Sequence, residues 1–185
     1  MSDSSELKAK LLLDNSRNPR YLSNGLLTVS GIDERQVFRE TTEAMDIMGI
    51  SNDDQDAIFR IIAAVLHLGD LDFKHERNSD QATLPDQSTA QKVSHLLGLA
   101  LNDMTKAFLK PRLKVGREIV VKAQTKEQVE FAVEAISKAI YEKLFRWLVA
   151  RINKSLDRAK RAGASFVGIL DIAGFEIFEV ALCYF

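Results

Sequence analysis

Apolar residues recur at three- and four-residue intervals along most of this chain, a period that predicts helices rather than strands. Residues 4–14, with Leu7, Leu11 and Leu12, read as a short, weakly patterned helix. Residues 15–20 carry Asn, Ser and Pro and read as a loop; residues 21–25 end in an Asn-Gly turn signal, and 26–29 as a short extended piece. Asp33 is placed to cap the next helix, whose Val37, Phe38, Thr41, Ala44, Met45 and Met48 share one face. Gly49 ends it, and Ser51 or Asn52 caps the following helix, with Asp53, Asp54 and Asp56 near its positive end. That helix is apolar nearly all round, through Ile58, Ile61, Ile62, Val65, Leu66 and Leu68, so burial on more than one side is expected.

After Gly69 the period weakens. Leu71, Asp72 and Phe73 suggest a short strand, and residues 75–83 (HERNSDQAT) a polar surface loop. Asp86 or Ser88 opens a helix carrying Val93, Leu96 and Leu97; a short one follows over residues 102–109 with Met104 and Phe108 inward. Residues 110–122 (KPRLKVGREIVVK) change the pattern. Pro111 breaks the helix, Leu113 and Val115 alternate with Arg112 and Lys114, and Gly116 precedes Ile119, Val120 and Val121: a hairpin with a glycine in its turn. Thr125 caps a long helix to about residue 157, striped by Val129, Val133, Ile136, Ile140, Leu144, Leu148, Ile152 and Leu156, with Phe145 and Trp147 broadening the stripe. At 1.5 Å per residue it is roughly 45–50 Å long. Phe166, Val167, Ile169 and Leu170 then read as a buried strand.

Length allows one domain with a real core, and 46% apolar with 28% charged residues is ordinary for a soluble globular protein. A net charge of -1 gives no electrostatic case for nucleic acid or a membrane surface. No apolar run is long enough to span a membrane, and the N-terminus lacks a signal-peptide core. A single cysteine, Cys183, excludes an internal disulfide or a cysteine-based zinc site and fits a cytosolic setting. His67, His75 and His95 have no ligand-spaced partner and read as packing residues.

Two stretches offer chemistry. The hairpin sets Lys110, Arg112, Lys114, Arg117 and Lys122 against one acid, Glu118; it is either a solvated hairpin or a docking patch for an acidic partner. The apolar run at 166–170 ends in Asp171, with Gly174 and Glu176 following. An acid at the carboxyl end of a buried strand is where NTPases hold a carboxylate near Mg²⁺, directly or through its water. Gly174 would let the backbone approach a phosphate, and Glu176 could anchor the loop by an ion pair. The bare D-x-x-G pattern also fits an ordinary strand entering a polar turn.

The wider string resolves that ambiguity by resemblance. FVGILDIAGFEIFE (166–179) is similar to switch II of myosin motors; kinesins have a related DxAGxE, but Phe175 and residues 177–179 look like myosin. YLSNG, AMDIMGI, AAVLHLGDLDF, KPRLKVGRE and KAQTKEQVEFAVEAISKAIYEKLFRWLVARIN each resemble conventional class II heavy chains, and KAQTKEQ and RNSDQATLPD the non-muscle and smooth-muscle branch. The resemblance implies a mainly α fragment of the myosin motor P-loop NTPase fold over residues 1–185. It would comprise the upper actin-binding-cleft region plus one central-sheet strand. It divides into an actin-contacting hairpin (110–122), a long helix (125–157) and a strand with switch II (165–179).

It further implies ATP and Mg²⁺ as cofactors. Asp171 would hold the Mg²⁺ water shell, the Gly174 amide would contact the γ-phosphate, and Glu176 would pair with a switch I Arg. Actin filaments and the remainder of the heavy chain are the implied partners, in the cytoplasmic actomyosin cytoskeleton. Arg112, Lys114 and Glu118 would contact actin, Glu118 standing where the superfamily has an acid or a phosphorylatable Ser/Thr. The 185 residues contain no GxxxxGK[ST] and no switch I, and VALCYF stands where the family continues into the relay helix. A partial product, inactive alone, is therefore expected. The alternatives are a non-catalytic actin-binding module and a kinesin-like nucleotide switch.

Overall fold

Six helices form among the described residues, near the places their apolar spacing predicts. The computed structural model describes residues 2–14, 18–23, 31–157, 165 and 167–170. In order they are α1 (Ser2–Lys10), a single 3-10 turn (Arg20–Leu22), α2 (Glu34–Ile47), α3 (Asn52–Gly69), β1 (Lys74–His75), β2 (Ala82–Thr83), α4 (Ser88–Leu97), α5 (Leu101–Leu109), β3 (Arg112–Val115), β4 (Glu118–Val121) and α6 (Lys126–Leu156). β1 pairs antiparallel with β2, and β3 with β4, as two separate two-stranded ribbons. The mainly helical class with a few short strands is as expected. No described helix is long and apolar enough to cross a membrane.

The helix starts follow from their caps. Asp33 accepts hydrogen bonds from the amides of Arg35 and Gln36, and Ser51 from that of Asp54. At α6 the Thr125 hydroxyl accepts from the Gln128 amide while the Gln128 side chain accepts from the Thr125 amide, a reciprocal capping box. Asp86 accepts both the amide and the hydroxyl of Ser88 just ahead of α4. The α2–α3 corner is closed by Gln55, which is buried and donates to Asp46 at 2.7 Å and to the Ile50 carbonyl at 3.0 Å.

The core lies where α3, α4, α5 and the first half of α6 converge. Phe73, Leu68, Val93 and Val129 are its largest fully enclosed side chains; each contributes about 1.5–3 kcal/mol by leaving water. A second cluster seats Leu11 against Ala63, Ala64 and Leu96, fixing α1 on α3 and α4, and Lys10 pairs with Asp56 beside it. The 3-10 turn clamps the far end of α3. Its Arg20 amide donates to Asp70 at 2.8 Å, and the Tyr21 hydroxyl to buried Ser137 of α6 at 3.3 Å. Gly69 permits this: a Cβ there would sit 2.8 Å from the Tyr21 ring.

Besides His75 and His95, which are exposed rather than packed, three expectations need correction. Residues 71–73 are not a strand; Leu71 and Phe73 are buried as core plugs, and pairing begins only at Lys74. Part of the polar stretch after His75 is a hairpin rather than a plain loop, turning where Asn78 takes φ +67°. The third concerns the strand expected at 166–170. Phe166 lies outside the described residues, and residues 167–170 have no strand structure; Val167, Ile169 and Leu170 are 97%, 89% and 84% exposed. A strand needs a neighbour to take its backbone hydrogen bonds. Among the described residues no other strand lies alongside this run.

His67 is a packing residue with a titration consequence. It is buried on α3, and its Nε2–H donates to the Leu11 carbonyl at 3.2 Å. Burial disfavours the imidazolium and lowers its pKa; the Leu11 carbonyl opposes this, Lys92 adds to it, and Asp70 opposes it. The unfolded chain has the ordinary value near 6.5. Below about pH 6.5 the unfolded state therefore takes up a proton that the folded state resists, and stability falls as pH drops from about 7.5 to about 5.5. His67→Gln keeps a donor for Leu11 without titrating. Melting midpoints at the two pH values should fall further for the wild type than for this variant; equal falls would exclude the assignment.

Candidate functional site: the basic hairpin and the apolar groove

Strands β3 and β4 pair Arg112 with Val121, Leu113 with Val120, Lys114 with Ile119 and Val115 with Glu118, leaving a two-residue Gly116-Arg117 turn. Gly116 takes φ +62° and Arg117 does not have positive φ, the pattern of a II′ turn. The ribbon stands on a narrow base. The Lys122 amide donates to the Pro111 carbonyl at 3.2 Å, and the Gln124 amide to that of Leu109 at 3.0 Å. The Ala82 amide donates to the Gln124 carbonyl at 2.8 Å, tying the base to β2.

Alternation along a strand decides which site residues meet. Arg112 and Lys114 fall on one face with Ile119 and Val121. Glu118 falls on the other, with Leu113 and Val120. The register thus brings the two predicted basic residues together and sets the predicted acid on the opposite face, next to the turn. Arg112, Lys114 and Glu118 are exposed, and among the described residues none of them makes an ion pair. Leu113, Ile119, Val120 and Val121 are also 45–69% exposed. The ribbon therefore offers solvated cations interleaved with uncovered apolar side chains, the composition of a contact surface for an acidic partner with apolar spots.

Asp171, Gly174 and Glu176 lie outside the described residues. Among the described residues no cluster of three or more His, Cys, Asp or Glu side chains could hold a metal ion.

One feature was not read from the sequence. A groove of about 410 Å³ runs between α3 and α6, its lining including Ile58, Ile61, Ile140, Leu144 and Trp147 together with Asp54 and Lys143. The signal was present in Ile61, Leu144 and Trp147, but periodicity alone does not distinguish a covered stripe from an open one.

The arrangement of a helical body, a long α6 and a projecting basic ribbon coincides with a family assignment. The chain belongs to the myosin head (motor domain) family, whose model it matches over residues 1–182. Over 175 residues it is 61% identical to a protein described as myosin heavy chain, non-muscle, of Drosophila melanogaster. That alignment takes in 95% of this chain and 8% of that heavy chain.

Proposed function

We propose that this chain is the part of an actin-based, ATP-hydrolysing motor head that carries switch II and an actin-contacting hairpin, acting in the cytoplasmic cytoskeleton. The observation that most supports the reading is the exposed ribbon with Arg112 and Lys114 on one face, in a chain of the myosin head family. An actin filament would be met through charge and apolar contact together. Glu118, on the other face, would meet a different part of the partner or set the local charge.

Asp171, Gly174 and Glu176 are chemically suited to ATP and Mg²⁺. A carboxylate is a hard oxygen donor for Mg²⁺ or its waters. A glycine leaves its N–H open to a phosphate oxygen. When bound, Mg²⁺ neutralises charge on the phosphates. Asp171 would hold the metal's water shell and the Gly174 amide would face the γ-phosphate. Glu176 would fix the loop by pairing with an Arg that these 185 residues do not supply. One carboxylate and one amide do not make a nucleotide site. A second reading for the chain by itself is an actin-contacting module without catalysis, supported by the same exposed ribbon.

Charge reversal tests the hairpin. Arg112→Glu or Lys114→Glu in a complete motor should weaken actin binding roughly 3- to 10-fold at low salt, the scale of exposed ion pairs lost and reversed. Cosedimentation should show the deficit shrinking as salt screens the charges. Unchanged binding for both variants at low salt would make the ribbon a solvated surface.

A further inference from the structure

Two hydroxyl side chains in this sequence follow an arginine by three positions, Ser23 after Arg20 and Thr42 after Arg39. An arginine three residues ahead of a serine or threonine is the charge pattern that the acidic substrate grooves of basophilic protein kinases recognise. The fold separates the two candidates. Thr42 lies inside α2, where its hydroxyl donates to the Arg39 carbonyl at 2.8 Å, and Glu40 and Glu43 stand close by in sequence. A kinase would have to unwind the helix to reach it. Ser23 ends the 3-10 turn, outside any helix or strand. Ser23 and Arg20 are both exposed, and among the described residues no ion pair occupies the Arg20 guanidinium.

We propose that Ser23 is a phosphorylation site for a basophilic kinase, and that its phosphate releases the 3-10 turn from α3 and α6. The kinase transfers the γ-phosphoryl group of ATP. The bond from phosphorus to the β-phosphate oxygen breaks, a bond from phosphorus to Ser23 Oγ forms, the hydroxyl proton passes to the kinase's own base, and ADP leaves. The consequence follows from what Ser23 touches. Its hydroxyl donates to the Arg20 carbonyl at 2.7 Å, and the Arg20 amide donates to Asp70 at 2.8 Å. Phosphorylation removes that donor and sets a group of about −1.5 to −2 charge against the carbonyl. Arg20 makes both contacts, so the phosphate stands within a Debye length, about 8 Å at physiological salt, of the Asp70 carboxylate. Glu130 and Glu134 of α6 line the same cleft as Arg20 and Tyr21. Among the described residues Glu130 is paired, with Lys126 at 3.8 Å, and Glu134 is not. The Arg20 guanidinium attracts the phosphate, but an exposed pair contributes little. The lost donor and the repulsion from Asp70 and Glu134 outweigh it, and the Tyr21 contacts with Gly69 and Ser137 loosen with the turn. Neither the basic hairpin nor Asp171 enters this step, so it stands apart from the motor reading.

The probe is the catalytic subunit of a cyclic-nucleotide-dependent protein kinase, given Mg-ATP and the 185-residue chain. Fragment mass spectra should place phosphate on Ser23, with at least tenfold less on Thr42. Ser23→Ala should abolish incorporation, and Arg20→Gln should lower the kinase's kcat/KM at least tenfold; Arg20→Lys replaces it if that variant does not fold. In the phosphorylated chain the Arg20 amide should exchange with deuterium at least tenfold faster than in the unmodified chain. The Asp54 amide, held by Ser51 at the opposite end of α3, should keep its rate. No phosphate on Ser23, as much on Thr42, or incorporation that persists in Ser23→Ala would overturn the site. Phosphate on Ser23 with an unchanged Arg20 amide would overturn the release.

Discussion

In a complete motor head, Glu176→Ala should still bind ATP but hydrolyse it about 10³-fold more slowly or worse, the scale on which a lost arginine at the transferring phosphoryl group acts. The argument is positional. Phosphoryl transfer draws its rate from placing groups and charge around the γ-phosphate. Glu176 would act by holding a switch I Arg and closing the loop, so binding survives while hydrolysis does not. Gly174→Ala should fail differently, because a Cβ would block the approach of the backbone to the phosphate. Asp171→Ala should weaken Mg²⁺-dependent binding as well as turnover. Single-turnover kinetics separate the three, and a Glu176→Ala motor with an undiminished hydrolysis step would remove the residue from this role.

Phe73→Ala should cost about 3–5 kcal/mol, the cost of deleting a fully enclosed aromatic side chain. Phe73 is 1% exposed and belongs to the core that also contains Leu68, Val93 and Val129. It follows α3 directly and plugs the space between α3, α4 and α6. Domains of this size are stable by about 5–15 kcal/mol, so the variant would lose a large share of that margin. Urea unfolding is the measurement. A loss under about 1 kcal/mol would mean that the site collapses around the deletion and that Phe73 is not a central plug.

The parts of this fold that local chemistry dictates were legible in the sequence. Thr125 announces the start of α6, Asp33 and Ser51 announce α2 and α3, and Gly116 between two alternating runs announces the hairpin. Contact-dependent features were less legible. Strands β1 and β2 are two residues each, too short for a period of two to register, and their polar surroundings resemble a loop. Residues 166–170 have the composition of a buried strand, but composition does not provide a neighbour, and Val167 is 97% exposed. Periodicity gives the stripe of α6 but not which of its positions are covered: Val129 and Val133 are buried, while Ile136 and Leu156 are exposed.

The site divides along the same line. Alternation in KPRLKVGREIVVK, once the turn is placed at Gly116-Arg117, puts Arg112 and Lys114 together and Glu118 apart. The roles given to Asp171, Gly174 and Glu176 came from resemblance to a family, since a D-x-x-G string by itself fits many turns.

Mg-ATP turnover by the purified 185-residue chain tests most directly whether it supplies one wall of a motor's nucleotide site rather than a site of its own. The expected result is no turnover above background, with or without actin filaments, beside a complete motor that hydrolyses ATP and loses that activity on Asp171→Ala. Turnover by the 185 residues alone, abolished by Asp171→Ala, would contradict the account.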